Sequence, residues 1–369
     1  MNVPKLRFKE FNDEWCKEYA GNLCSIQTGK SNTQDKTDDG IYPFYVRSPI
    51  IEKSHKFIFD TEAVLTVGDG VGVGKVFHYV NGKFDCHQRV YMMNNFNKIT
   101  AKYFYYIFSR DFDKRVMKMT AKTSVDSVRY EMIDKMQIFY PTVLEQNKIS
   151  RTLELLDKKI ELQSKKIEDL KLFKLYMENQ FIFKDDASYT EYKLRDILIE
   201  GNKTPIADTS KYQKLTIKLN LKGLEFNKSQ KEMSDKRPFY VRDENELIIG
   251  KQNYFNGSIA IVDKKYAGGI CSNAIMSFKA KDGFDIKYIY LYLSQKSYMK
   301  QREFLANGTG QKELSEKEFL NFSIRIPSDN KVKKIIKNVN CISKKILLEE
   351  NKLNKLIELK RGLMQNMFV

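Results

Sequence analysis

Histidine is scarce, with three residues in 369, and the five cysteines stand apart at Cys16, Cys24, Cys86, Cys271 and Cys341 with no C-x-x-C pair. Spacing of that kind supplies neither a zinc knuckle nor a disulfide framework, so reduced, structural cysteines are expected and no metal site. No run of eighteen apolar residues occurs, and the opening MNVPKLRFKEFNDEW has no apolar core of the signal-peptide kind. A cytoplasmic protein without a membrane span is therefore expected. Of the seven prolines no two are adjacent, which removes the N/D-P-P-Y/F signature of amino-methyltransferases. No G-x-S-x-G elbow accompanies His55, His78 and His87, so a hydrolytic triad has no support either.

One glycine-rich run, Val67-Gly-Asp-Gly-Val-Gly-Val-Gly-Lys75, invites a catalytic reading. As a phosphate loop it fails at both ends, because Asp69 stands where glycine is needed and Val76 where Ser or Thr is needed. As a cofactor loop it should open a helix, yet a β-type run, Lys75 to Val80, follows it. It reads as a turn between strands that could approach another surface closely, DNA included. Composition points the same way: a formal net charge of +17 makes a polyanion the natural partner, provided folding gathers the cations on one face.

What the sequence does have is a duplication. Ile149, Leu153, Leu156, Ile160, Ile167, Leu170, Met177 and Phe181 step by fours and threes, the seam of a long coiled-coil helix over Leu144–Phe181. At an offset of 186, Ile335, Val339, Ile342, Ile346, Leu353, Leu356, Leu363 and Met367 repeat it, and the polar breaks Gln163 and Lys174 return as Glu349 and Lys360. Ten of forty-one positions are identical between Pro141–Phe181 and Pro327–Met367. Each helix is about 55 Å long at 1.5 Å per residue and needs a partner, of which its own copy is the simplest. An internal two-fold would make the pair antiparallel and let each lysine face an acidic or amide group.

Before each long helix lies a small mixed domain. Short β-type runs (Tyr42 to Arg47, Lys56 to Phe59, Ala63 to Val67, Lys75 to Val80, Val90 to Met93) precede a helix, Ala101 to Met119, then a polar loop and a strand-like run ending in Pro141. Asn81-Gly82 predicts a tight type I′ hairpin. The second copy offers Lys214 to Leu219, Phe239 to Arg242, Glu246 to Ile249, Ile259 to Val262 and Ala274 to Phe278, then a helix Ile286 to Phe304 and a run ending in Pro327. The helix tyrosines could stack on bases, but core is the more usual role for aromatics at helical spacing. Pro43–Arg47 returns verbatim as Pro238–Arg242, too short an identity to define a site. The expected fold class is α+β: two small mixed domains, 1–143 and 185–327, separated by two antiparallel coiled-coil helices, 144–184 and 328–369.

Pro141-Thr-Val-Leu-Glu145-Gln146-Asn-Lys148-Ile149, leading into a heptad helix, resembles the P-x-x-x-E-Q-x-x-I start of the central helix in specificity (S) subunits of type I restriction-modification enzymes. Pro4 to Trp15 resembles the beginning of the same family, and the likeness covers the whole chain, departing where Lys331-Val332 replace Glu145-Gln146. The resemblance implies two target-recognition domains, each reading half of a bipartite double-stranded DNA site. It also implies a helical spacer that docks two methyltransferase (M) subunits, which hold S-adenosylmethionine, and restriction (R) subunits. This chain would then bind no cofactor and catalyse nothing. Half-sites about one helical turn apart, roughly 34 Å, suit such a spacer. Loop-borne polar side chains are the candidates for base contact: Gln88, Arg89, Thr123, Ser124 and Arg129 in the first domain, and Gln252, Asn253, Asn273, Thr309 and Gln311 in the second. Lys75, Lys251 and Lys312 are the phosphate candidates. A DNA-modifying enzyme built on the glycine run, or a coiled-coil adaptor without DNA contact, are the alternatives.

Overall fold

The computed structural model describes residues 3–70, 72–119, 127–182, 188–227, 237–305 and 313–369. The chain divides into two compact units, Met1–Ile167 with Leu348–Val369, and Glu168–Leu347. The two long helices, Val143–Ile182 and Asp329–Asn366, each contribute residues to both.

In the first unit a strand Cys16–Tyr19 pairs antiparallel with Gln137–Tyr140, so the two ends of the head meet beside the long helix. Between them lies a six-stranded sheet in the order Ser25–Thr28, Val90–Asn94, Phe59–Val67, Phe77–Cys86, Tyr42–Tyr45, Ile51–Ser54. Only the Tyr42–Tyr45 and Phe77–Cys86 neighbours run parallel. The helix Ala101–Met119 covers one face through Tyr103, Phe104, Ile107, Phe108, Phe112 and Val116, all buried. Its aromatics are core: Phe104, Phe108 and Phe112 stack successively, and the Tyr103 hydroxyl donates to the Phe139 carbonyl at 3.0 Å.

Asn81-Gly82 does not form a hairpin. Both residues lie inside the ten-residue strand Phe77–Cys86, opposite Glu62 and Thr61, because the long neighbour Phe59–Val67 offers an unbroken ladder that outweighs the local turn preference. For the same reason the runs Lys56–Phe59 and Ala63–Val67 merge into a single strand from Phe59.

The second unit repeats the plan with a smaller main sheet of four strands and more two-stranded ribbons. Thr190–Lys193 pairs antiparallel with Ser323–Ile326, and a sheet follows in the order Leu198–Glu200, Ile275–Ala280, Leu247–Gly250, Ile259–Ile261. The Tyr288 hydroxyl donates to the Arg325 carbonyl at 3.0 Å, the counterpart of the Tyr103 bond. The expected single helix from Ile286 to Phe304 is broken into Ile286–Leu293 and Lys296–Arg302. Gln295 adopts extended backbone between them, and its side-chain amide donates to the Leu291 carbonyl at 2.9 Å, taking up an acceptor at the end of the first piece. Phe239–Val241 pairs with Ile270–Ser272 in a separate ribbon, so the repeated pentapeptide serves two different sheet pairings.

The start of the first long helix explains its sequence. Gln146 is buried; its Oε1 accepts from the Thr100 N–H at 2.8 Å, and its Nε2 donates to the Lys98 and Pro141 carbonyls. Glu145, also buried, receives a two-pronged bond from Arg7, Nε at 2.9 Å and Nη2 at 2.8 Å. The opening segment and the helix start are thereby clamped together. At the second helix Lys331 lies over the Tyr189 ring at 4.6 Å and Val332 enters the core, so a cation–π contact and apolar packing stand where the first unit has an ion pair and an amide.

Within the first unit the long helices run antiparallel: Asp157 pairs with Lys360, and Gln163, further along, with Glu349. Ile149, Leu153, Leu156 and Ile167 are buried, with Ile160, Leu353 and Leu356 half-buried. In the second unit Ile335, Val339 and Ile346 are buried, and Leu170 and Ile342 half-buried. Of the polar breaks, Lys174 pairs along its own helix with Glu178 at 3.6 Å. Glu349 accepts from Gln163 Nε2 at 2.7 Å, Lys166 Nζ at 3.0 Å and Lys352 Nζ at 3.2 Å, and these donors hold its carboxyl down at about 2. An unfolded glutamate titrates near about 4.3, so this contact stabilises the fold above that pH and loses its contribution as the pH falls toward 2. The Tm of the wild type should therefore drop more steeply between about pH 5 and pH 2.5 than that of Glu349→Gln, by thermal melting followed with circular dichroism. Equal slopes would contradict the assignment.

Candidate nucleic-acid interface

Three backbone segments meet at one edge of the first head. The Gly68 N–H donates to the Arg89 carbonyl at 2.7 Å, the Val128 N–H donates to the Gly68 carbonyl at 2.7 Å, and Asp69 forms a bridge with Ser127. The strand Phe59–Val67 delivers the first segment, the turn before Val90–Asn94 the second, and the stretch before the helix Tyr130–Asp134 the third. A side chain at Gly68 would place its Cβ 2.6 Å from the Arg89 carbonyl oxygen, so only glycine permits this approach. Gly68→Ala should displace Arg89 and lower stability by about 1–3 kcal/mol, as measured by chemical denaturation.

The Arg89 turn is held from below by His87. The ring is buried and its Nδ1 accepts the Arg89 N–H at 3.0 Å, while the His87 backbone N–H donates to the Tyr45 carbonyl at 2.9 Å. Burial and the nearby Arg47 and Arg89 lower its pKa, with Asp69 opposing, so the ring stays neutral and keeps its acceptor at neutral pH. Above this base Arg47 Nη1 lies 3.4 Å and Arg89 Nε 3.9 Å from the two oxygens of Asp69, with side chains 50 %, 65 % and 25 % exposed respectively. Gln88 is exposed and donates to Asn32 Oδ1 at 2.7 Å. Lys75 is exposed in the glycine-rich turn, and Arg129 is exposed one residue beyond Val128.

The second head has the same frame. The Lys251 N–H donates to the Ala274 carbonyl at 3.0 Å, and the Leu314 N–H to the Lys251 carbonyl at 2.9 Å. Gly68 thus matches Lys251, Asp69 matches Gln252, Gln88 matches Asn273 and Arg89 matches Ala274. Gln252, Asn253 and Asn273 are exposed, and Lys251 pairs with Glu316 at 3.6 Å. Beside them a cleft of about 180 Å³ is lined by Tyr240, Arg242, Lys251, Asn273, Ser277 and Glu316. Arg242, the repeat of Arg47 in the pentapeptide, is only 2 % exposed; its Nη1 donates to the Asn202 carbonyl at 3.2 Å and lies 3.8 Å from Glu246.

The edge thus gathers Gln88, Arg89 and the backbone next to Arg129 in one head, and Lys251, Gln252, Asn253 and Asn273 in the other. Thr123, Ser124, Thr309, Gln311 and Lys312 lie outside the described residues. Arg47, Asp69, Asn32 and Arg242 were not among the sequence candidates; the repeated pentapeptide was the signal for two of them. Among the described residues no three His, Cys, Asp or Glu side chains converge so as to hold a metal ion, and no helix is long and apolar enough to cross a membrane.

Two copies of one α+β head, each with a long helix at its end and a polar edge built from the same three segments, define a duplicated scaffold with loop-borne recognition surfaces. The chain belongs to the type I restriction-modification specificity family: the family described as "Type I restriction modification DNA specificity domain" matches it twice, over residues 12–172 and 187–359. A stretch of 157 residues, 42 % of the chain, is 25 % identical to the type I restriction enzyme EcoDI specificity subunit of Escherichia coli, and spans about a third (34 %) of that relative's length. In fold the chain is similar to the crystal structure of a type I restriction-modification system S subunit from M. genitalium (TM-score 0.67, 16 % identity, covering 100 % of this chain and 99 % of that one). It is also similar to a chain from a study of complex assembly and conformational transition of the type I R-M system (TM-score 0.56, 12 % identity, 98 % and 99 % covered).

Proposed function

We propose that this chain is the DNA-sequence-specificity subunit of a type I restriction-modification complex, acting in the cytoplasm and carrying no catalytic group of its own. Residues 1–143 and 185–327 are the two target-recognition domains, each for one half of a bipartite site, and 144–184 with 328–369 the spacer between them. The observation that carries this reading is the repetition of one polar edge, on matching backbone hydrogen bonds, in two heads of a single chain. A duplicated reader requires a duplicated, separated target.

The long helices also expose apolar side chains that their own seam does not use: Leu155, Leu162 and Leu348 in the first unit, Leu172, Tyr176 and Leu347 in the second. Surfaces of that kind suit protein partners, and we assign them to methyltransferase subunits, which would supply S-adenosylmethionine and the adenine chemistry, with restriction subunits joining the same complex. Mapping adenine methylation in the source strain tests the whole reading. Deleting the gene should erase one bipartite motif; an unchanged map would refute it.

A further inference from the structure

The two heads share a backbone frame but differ in the chemistry they mount on it. On the first, Arg47 and Arg89 converge on the single carboxylate of Asp69 and both stay at least half exposed. Exposed pairs of this kind are weak and exchange readily, so neither guanidinium is committed to its partner. The carboxylate instead holds two forked donors side by side, on a turn already fixed through Gly68, His87 and Val128. In the major groove, arginine bonds bidentately to O6 and N7 of guanine, and a carboxylate accepts from N4 of the paired cytosine. On the second head the position of Arg89 is Ala274, that of Asp69 is Gln252, that of Gln88 is Asn273, and the arginine of the repeated pentapeptide is withdrawn from the surface. Side-chain amides pair with N6 and N7 of adenine.

We infer that the first head selects a G·C base pair through Arg89 and Arg47 gathered on Asp69, and that the second head selects an A·T pair through Gln252 and Asn273. The inference rests on the specificity-subunit reading and deepens it to the base chemistry of each half-site.

The test uses the intact complex in the source strain, with chromosomal alleles and adenine-methylation maps by direct sequencing. Arg89→Gln should relax one G·C position in one half-site by about tenfold or more, leaving the other half-site unchanged. Arg89→Lys keeps the charge and loses the fork; it should relax the same position, whereas a residue that only neutralises phosphate would tolerate lysine. Gln252→Ala or Asn273→Ala should relax an A·T position in the opposite half-site. All four sites are exposed, so unchanged thermal melting of the purified variants separates lost reading from lost folding. A bipartite motif that Arg89→Gln and Arg47→Gln leave intact overturns the inference while the specificity reading stands. A motif relaxed only at A·T positions by Arg89→Gln overturns it as well. A map unaffected even by deletion overturns both.

Discussion

Leu153→Asp should destabilise the first unit by about 4 kcal/mol or more. Leu153 has no exposed surface and belongs to the cluster that holds Trp15, Tyr103, Ile149, Met367 and Phe368. Truncating a buried leucine costs about 2–5 kcal/mol, and an unpaired carboxylate in the space it vacates adds a desolvation penalty. The second unit has a core with no residue in common, built on Leu194, Ile197, Tyr254, Ile289 and Phe319. Hydrogen exchange should therefore show amide protection lost first around Ala101–Met119 while the strands Leu247–Gly250 and Ile275–Ala280 keep theirs. Equal loss in both units would mean that the cores do not act separately, and a shift below about 1 kcal/mol would remove Leu153 from the core.

Arg7→Ala should cost about 3–5 kcal/mol, a large loss for a single residue so near the beginning of the chain. The guanidinium is the donor to both oxygens of Glu145, whose side chain is 1 % exposed, and its Nη2 also donates to the Asp13 carbonyl at 2.6 Å. Removing it leaves a carboxylate with neither water nor counter-charge. The double variant Arg7→Met with Glu145→Leu should recover most of that loss, since apolar replacement of a buried pair is often close to neutral. Denaturant unfolding of the two single variants and the double closes the cycle. If the single and double variants lose the same amount, the penalty comes from Arg7 packing, not from the stranded charge.

Features set by local periodicity were legible in the sequence. The helix seam, the helix Ala101–Met119 and the strand-to-proline run before each long helix depend on spacings of a few residues, and a single chain displays those directly. Asn81-Gly82 misled because a turn preference worth little was overruled by eight consecutive pairings with the neighbouring strand. The break at Ser294 and Gln295 left no glycine or proline as a marker. At the candidate interface, polar loops could be found but their grouping could not: Arg47, Asp69 and Arg89 lie on three separate segments, and their proximity exists only after the sheet has formed. Even the repeated pentapeptide, identical in sequence, puts one arginine in solvent and the other in a cleft wall, because the strands that receive it differ.

The way the first unit is assembled from separated stretches of chain sets an order of completion during synthesis. Leu363, Met364, Met367 and Phe368 pack into the same core as Trp15 and Tyr103, and the Leu6 N–H donates to the Asn366 carbonyl. Residues 168–347 leave the ribosome before any of those four. The later head along the chain can therefore close its core first, while the earlier one waits with an open corner for a helix made some 190 residues after its own last strand, Gln137–Tyr140. Until then Tyr103 lacks the Phe368 ring that packs against it in the finished core.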